Sequence, residues 1–195
     1  MKKWIALLLC LVLLPVTALA HPGDLDTSNG HIDNDNVSGL GSYHYHCGDT
    51  EAHLHVWGMC PHSEEYKAYE TAVARLNEIL AAPVETDELK AEVIELLCHE
   101  NLPFHLQKEI LEAQNGFLIT SEAHESIMQK PIANGKKVAS ISEAGAALVI
   151  TGAQAKGWYP VQYWNNGNLL QGYVSAKEVT EATLAEYALV LVNQL

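Results

Sequence analysis

Positive charge, cysteine and long apolar runs are all scarce in this 195-residue sequence, and each shortage removes a class of function. Lysine and arginine number 11 against 24 aspartates and glutamates, which leaves a formal charge of −13 with histidine neutral. So acidic a chain is a poor partner for nucleic acid or anionic lipid, although it can attract cations. After the first twenty residues no stretch is apolar and long enough to span a membrane. The text also lacks His-Glu-x-x-His, Gly-x-Ser-x-Gly and a phosphate-binding loop. Cys98-His99-Glu100 does not supply a nucleophile and base, because adjacent residues on one helix do not face each other. The sequence therefore leans away from catalysis.

What is present begins with a leader. Lys2 and Lys3 precede an apolar run from Trp4 to Leu14, Pro15 breaks it, and Ala18-Leu19-Ala20 supplies small residues before His21. This predicts a secretory signal peptide over residues 1–20 and an extracytoplasmic protein, secreted or held in the cell envelope, with no transmembrane segment after cleavage. Cys10 lies in the apolar run without the small residue that a lipid-anchor site needs before it. Three cysteines then remain, Cys47, Cys60 and Cys98. In an oxidising compartment that count suits one disulfide and one thiol, with Cys47–Cys60 as the expected pair. Cys98 follows Leu96 and Leu97 in a helical pattern and reads as a small buried hydrophobe.

The stretch from His21 to Cys60 holds His21, His31, His44, His46, His53 and His55, both of those cysteines and a group of aspartates. Imidazole and thiolate suit zinc and its neighbours, whereas carboxylates suit calcium. Tyr43 to Cys47 and Ala52 to Val56 alternate like two strands, with Gly48 to Glu51 as the connection. A direct hairpin would put His46 opposite His53 and His44 opposite His55, so that all four imidazoles share a face and Cys47 takes the other. The expected metal ligands are His31, His44, His46 and either His53 or His55, with Asp33 as a ligand or as a support behind one. Zinc is the expected ion. Copper is an alternative through His21 and a free α-amine, and calcium is another through Asp24, Asp26, Ser28 and Asp35.

Beyond Ser63 the pattern becomes helical. Tyr66, Tyr69, Val73, Leu76 and Leu80 mark one helix, and Leu89, Val93, Leu96 and Leu97 a second that starts at Thr86 or Asp87. Leu106, Ile110 and Ala113 mark a third that opens at Asn101-Leu102-Pro103 and closes at Asn115-Gly116. Five candidate strands follow, 117–120, 137–141, 147–151, 158–164 and 171–174, separated by turn signals, and they predict a small barrel. Ser175 to Glu178 fits a capping box and hence a turn or short helix. Residues 184–195 are apolar enough to pack back on the core. The fold class is thus α+β: a His-rich, metal-stabilised hairpin module, a short helical region and a C-terminal β-barrel.

Two resemblances refine this. Gly30-His31, Ser38 to Gly48, Ala52-His53-Leu54-His55 and Gly58-Met59-Cys60-Pro61 resemble the short exported form of the bacterial YHYH domain over residues 21–61. Relatives show Pro-Asn after the last histidine, where this chain has Val56-Trp57. The resemblance implies metal binding. Gly145, Gly157-Trp158-Tyr159 and Gly172-Tyr173-Val174-Ser175 resemble a bacterial SH3-like domain over about residues 117–180, although its usual opening strand is replaced by Ser121 to Ala133. That resemblance implies binding to peptidoglycan or to an extracellular protein, with Trp158, Tyr159 and Tyr173 as candidate ligand contacts. The domain plan is then 1–20 signal, 21–61 metal module, 62–116 helical connector, 117–180 SH3-like domain and 181–195 packing segment. The expected function is an exported zinc-binding protein that docks to the wall or to a partner. The alternative is a zinc hydrolase of wall material with Asp33 or Glu51 as general base.

Overall fold

The computed structural model describes residues 23–48, 50–113, 116–122, 125–165 and 168–195, and the predicted signal peptide and His21 lie outside them. The chain divides into two compact units, one ending at Ser63 and one running from Glu64 to Leu195.

Among its described residues the first unit has very little regular structure. Strand β1 (Gly30–Ile32) pairs antiparallel with β2 (Tyr43–Tyr45), setting His31 opposite His44. Two isolated bridges follow, Tyr45 with His53 and Val56 with Met59. Among the described residues of this unit Met59 is the sole buried apolar side chain, while His31, Asp33 and His44 are buried polar groups. Leu25, Ile32, Val37, Leu54 and Trp57 are exposed. So small an apolar core contributes little to stability, and units of this size usually depend on metals or disulfides.

The second unit opens with α1 (Glu64–Leu80), which buries Tyr69, Ala72, Leu76 and Ile79. This stripe keeps helical spacing but sits slightly rotated from the expected one, with Ala72 and Ile79 replacing Val73 and Leu80. Helix α2 (Asp87–Leu97) starts where expected: the Thr86 side chain accepts from the Leu89 N–H and caps it. Arg75 of α1 grips Glu92 of α2 through Nε and Nη2, at 2.6 and 3.0 Å. The third helix is shorter than its pattern promised. Leu102, Phe104 and Leu106 are buried in turns. Among the described residues of this stretch only Lys108–Glu112 (α3) is helical, with Leu111 rather than Ile110 or Ala113 buried.

Seven antiparallel strands follow: β3 (Phe117–Thr120), β4 (Ser126–Met128), β5 (Lys137–Ser140), β6 (Ala147–Ile150), β7 (Trp158–Asn165), β8 (Asn168–Ser175) and β9 (Val179–Ala182). Their order in the sheet is β5-β4-β8-β7-β6-β3-β9. All five expected strands are present, and β4 and β9 are added. The expected turn forms after Ser175, where the Glu178 N–H bonds the Ser175 carbonyl at 3.0 Å, and it leads into β9, which pairs with β3. The pairing gives an open order with β5 and β9 at its ends; no ladder closes it into the expected barrel among the described residues.

One face of the sheet gathers Leu118, Ile127, Ile141, Leu148, Val161, Val174 and Val179 into a single core. Strand β6 is buried at every position, because its alternate residues face opposite ways and both faces are covered. The second cover is α4 (Leu184–Val192), the C-terminal segment, which packs on β3, β6, α1 and α2. A reciprocal capping box between Thr183 and Glu186 starts it, and its Tyr187 ring stacks on Phe117 with centroids 4.7 Å apart. Gly172 has a specific cause: a Cβ there would meet Ile127 Cγ2 at 2.5 Å and Met128 O at 2.7 Å, so β8 can pass β4 only without a side chain. Among the described residues no helix is long and apolar enough to cross a membrane.

Candidate metal centre

The expected ligands converge, but in two groups. The loop between β1 and β2 is organised by one carboxylate. Asp33 Oδ1 accepts from the Val37 N–H at 2.9 Å, and Oδ2 accepts from the Ser38 N–H and Oγ at 2.9 and 2.8 Å. The Asn36 side chain accepts from the Gly41 N–H, and this local bonding by Asp and Asn side chains closes the loop back into β2. His31 and His44 consequently meet across the ladder. Their Nε2 atoms lie 2.9 Å apart, and His44 Nε2 lies 3.1 Å from His46 Nε2. The other nitrogen of His44, Nδ1, sits 3.2 Å from Ser38 Oγ and 3.9 Å from Asp33 Oδ2. His44 is fully buried, and His46 is half-buried.

The second group holds His53 and His55 together with both cysteines. Cys47 Sγ lies 3.3 Å from His55 Nε2, and Cys60 Sγ lies 3.3 Å from His53 Nε2. Within each group every member offers a ligand atom within 4.8 Å of the others, so both groups can hold a metal ion. Cys60 reaches this point through a tight turn, in which the Val56–Met59 bridge encloses Trp57 and Gly58 with φ of 53° and 80°. Both residues are left-handed, as a two-residue hairpin turn requires. Tyr45 lies flat on His55, with centroids 3.6 Å apart, and His62 meets His53 edge to face at 4.9 Å.

Two expectations are corrected here. The direct hairpin of 43–47 with 52–56 does not form: β2 takes β1 as its partner and, among the described residues, forms a backbone bridge to the later segment only at Tyr45–His53. His44 therefore faces His31 rather than His55, and the four imidazoles are split between two sites. Nor is Cys47–Cys60 a disulfide; both cysteines are free thiols beside imidazoles. The alternation that turns Cys47 away from His44 and His46 does hold, but that side of the strand has imidazoles of its own.

The electrostatics suit a cation. Burial, then the neighbouring Cys60 thiol, raises Cys47 above the usual thiol range, and burial followed by the charge of His53 lowers His55. Without an ion Cys47 favours its neutral thiol and His55 its neutral imidazole, and a bound divalent cation would draw out a thiolate. The calcium alternative does not assemble among the described residues. Asp26 instead accepts from the Ser28 and Gly30 N–H groups and, at 2.5 Å, from the Tyr43 hydroxyl, while Asp24 and Asp35 are exposed. That bond lowers Asp26 and pushes the Tyr43 hydroxyl up to about 12. A cleft of about 320 Å³, lined in part by Asp24, Asp26, Tyr43 and His31, adjoins the three-histidine group.

In the second unit Tyr159 packs against the sheet core. Alternation along β7 turns Trp158 to the other face, and Tyr173, paired with Pro160 on β8, lies there too. The three expected ligand contacts thus do not share one surface.

The residues that sequence reasoning missed around the imidazoles are Ser38, Tyr45 and His62; the two cysteines, expected as a disulfide rather than as thiolate ligands, lie beside imidazoles. The signal for the cysteines was their spacing around His53 and His55. No family model, curated protein or solved structure matches the chain.

Proposed function

We propose that this protein is an exported zinc-binding protein whose unit ending at Ser63 folds around the ion and whose sheet unit docks to cell-wall material or an extracellular partner. The observation that carries the reading is the convergence of Cys47, His53, His55 and Cys60, two sulfurs and two imidazoles, the donor set of a closed structural zinc site. The nearly absent apolar core of that unit supports it, because an ion can supply folding energy that burial does not. The YHYH resemblance points the same way, and the SH3-like resemblance is the basis for the docking role. Protein purified without chelator is expected to carry at least one zinc per chain and to lose thermal stability when the metal is stripped. Protein without metal, and equally stable with and without chelator, would overturn the proposal.

The zinc-hydrolase alternative draws on the His31, His44 and His46 group, since three imidazoles are a catalytic zinc's donor count. Its general base is harder to place. Asp33 is committed to the loop, and Glu51 is exposed, its backbone carbonyl 2.8 Å from His53 Nδ1. Zymography on wall material with and without chelator separates the two readings: chelator-sensitive clearing favours the hydrolase.

A further inference from the structure

We infer that Thr50 is a positioning residue of the cysteine-containing site: its hydroxyl ties the Cys47 carbonyl to the ring of His53, so that His53 meets an ion through Nε2 with its proton held on Nδ1. This rests on the zinc reading above. It adds the nitrogen that ligates and a residue outside the donor set on which affinity depends.

The ring of His53 is the starting point. Its Nδ1 lies 2.8 Å from the Glu51 backbone carbonyl oxygen and 3.4 Å from Thr50 Oγ1. A carbonyl oxygen only accepts, so the hydrogen of the neutral ring sits on Nδ1. The Thr50 hydroxyl has a single hydrogen, which it donates to the Cys47 carbonyl at 2.9 Å. Toward Nδ1 the hydroxyl oxygen therefore also accepts. Both neighbours select the same tautomer, and the lone pair is left on Nε2. That nitrogen lies 3.3 Å from Cys60 Sγ, inside the donor group. An imidazole whose other N–H is held in this way is oriented before the ion arrives and is a more basic donor.

Thr50 stands midway between two donors, three residues after Cys47 and three before His53. One hydroxyl thus links the backbone of a thiol ligand to the ring of an imidazole ligand. Hydroxyls commonly return to a nearby backbone group in turns; the contact with the ring is what makes this one part of the site. The other thiol is anchored in a similar way, since Ser63 Oγ donates to the Cys60 carbonyl at 2.7 Å, again from three residues on. With Met59 the sole buried apolar side chain among the described residues of this unit, little hydrocarbon holds these loops. Removal of the Thr50 hydroxyl therefore disturbs donor geometry rather than core packing.

Cobalt(II) titration of the full chain against a competing chelator tests this, read at the near-ultraviolet thiolate-to-cobalt band, which reports the cysteine-containing site alone. Thr50→Val keeps the side-chain shape without the hydroxyl. It is expected to reach the wild-type band at saturation but to bind about 10–100-fold more weakly. Thr50→Ser restores the hydroxyl and is expected to bind as wild type does. Long-range proton–nitrogen NMR of the zinc-loaded wild type is expected to show His53 coordinated through Nε2 and protonated at Nδ1. A Thr50→Val chain that binds as tightly as wild type, a Thr50→Ser chain as weak as Thr50→Val, or coordination through Nδ1 would overturn the inference and leave the zinc reading standing. If Thr50→Val gives no band at saturation, a wild-type band in Thr50→Ser supports the hydroxyl's role and its loss there overturns it, while the wild-type NMR decides the ligating nitrogen. Absence of the band from wild type would overturn the zinc reading itself, and this inference with it.

Discussion

His31 and His44 stand opposite each other across the β1–β2 ladder, with their rings edge to face and their Nε2 atoms 2.9 Å apart. Such a pair sits where a small domain would ordinarily place two apolar side chains. Under the proposed zinc-binding function, stability that another fold draws from hydrocarbon would come here from a ligand. An ion present at about a hundred times its Kd stabilises a fold by about 2.7 kcal/mol. Calorimetry on wild-type protein with zinc and with chelator is expected to differ on that scale. His44→Ala should show a smaller difference, because only the cysteine-containing site is left to respond.

The three described thiols should separate by reactivity. Burial, reinforced by Glu109 and Glu112, pushes Cys98 up to about 11, so at pH 8 almost none of it is thiolate. All three are half-buried, but Cys47 and Cys60 lie beside imidazoles, and an ion is expected to occupy their sulfurs. Alkylation at pH 8 followed by mass spectrometry should spare all three with zinc present. After chelation it should modify Cys47 and Cys60 but not Cys98. Modification that ignores chelation would contradict the ligand role.

Trp57 holds a left-handed backbone, φ 53°, while its side chain is 53 % exposed. A non-glycine residue in that region costs roughly 1–2 kcal/mol, and Asn tolerates it better than most. Trp57→Asn, which creates Asn-Gly at the turn, is expected to stabilise the zinc-loaded protein by about 0.5–1 kcal/mol in denaturant unfolding. A destabilised variant would mean that Trp57 packs more strongly than its exposure indicates.

Glu125 supplies a pH dependence in the second unit. It is buried. Oε1 accepts from the Glu122 N–H, while Oε2 has no hydrogen-bond partner among the described residues. Burial raises its carboxyl above the ordinary 4.5. Between that value and the higher folded one, the unfolded chain binds fewer protons than the folded chain, so stability falls as pH rises through the window. Glu125→Gln is expected to flatten this fall. Unfolding curves for both proteins at pH 4.5 and pH 7 would show it as a smaller loss in the variant.

Much of the second unit was legible because its strands are runs of β-branched and aromatic residues punctuated by glycine and asparagine, as at 117–120 and 158–165. Ser126–Met128 and Val179–Ala182 were not, since three or four mixed residues carry no period and are held by neighbours: β4 by β5 and β8, β9 by β3. Helix α4 is apolar nearly all round and presents no stripe, although Thr183 and Glu186 stood three apart as a start signal. In the first unit the candidate histidine ligands were legible and their grouping was not. Alternation puts His44 and His46 on one side of a strand, but which segment lies opposite was decided by the Asp33-centred loop. The fate of Cys60 was decided by two left-handed residues, one of them a tryptophan that turn statistics do not favour.

The locality of the donors bears on how the molecule comes to be assembled. One set lies within residues 31–46 and the other within 47–60, without interleaving. Closing loops that short costs little chain entropy, and contacts between sequence neighbours form early. Every proposed ligand among the described residues is present once the chain has emerged to residue 60, before any strand of the large sheet exists. If the proposed ion is its folding partner, the first unit is expected to mature on metal supply, on a clock independent of the pairing of β3 with β9 across some sixty residues.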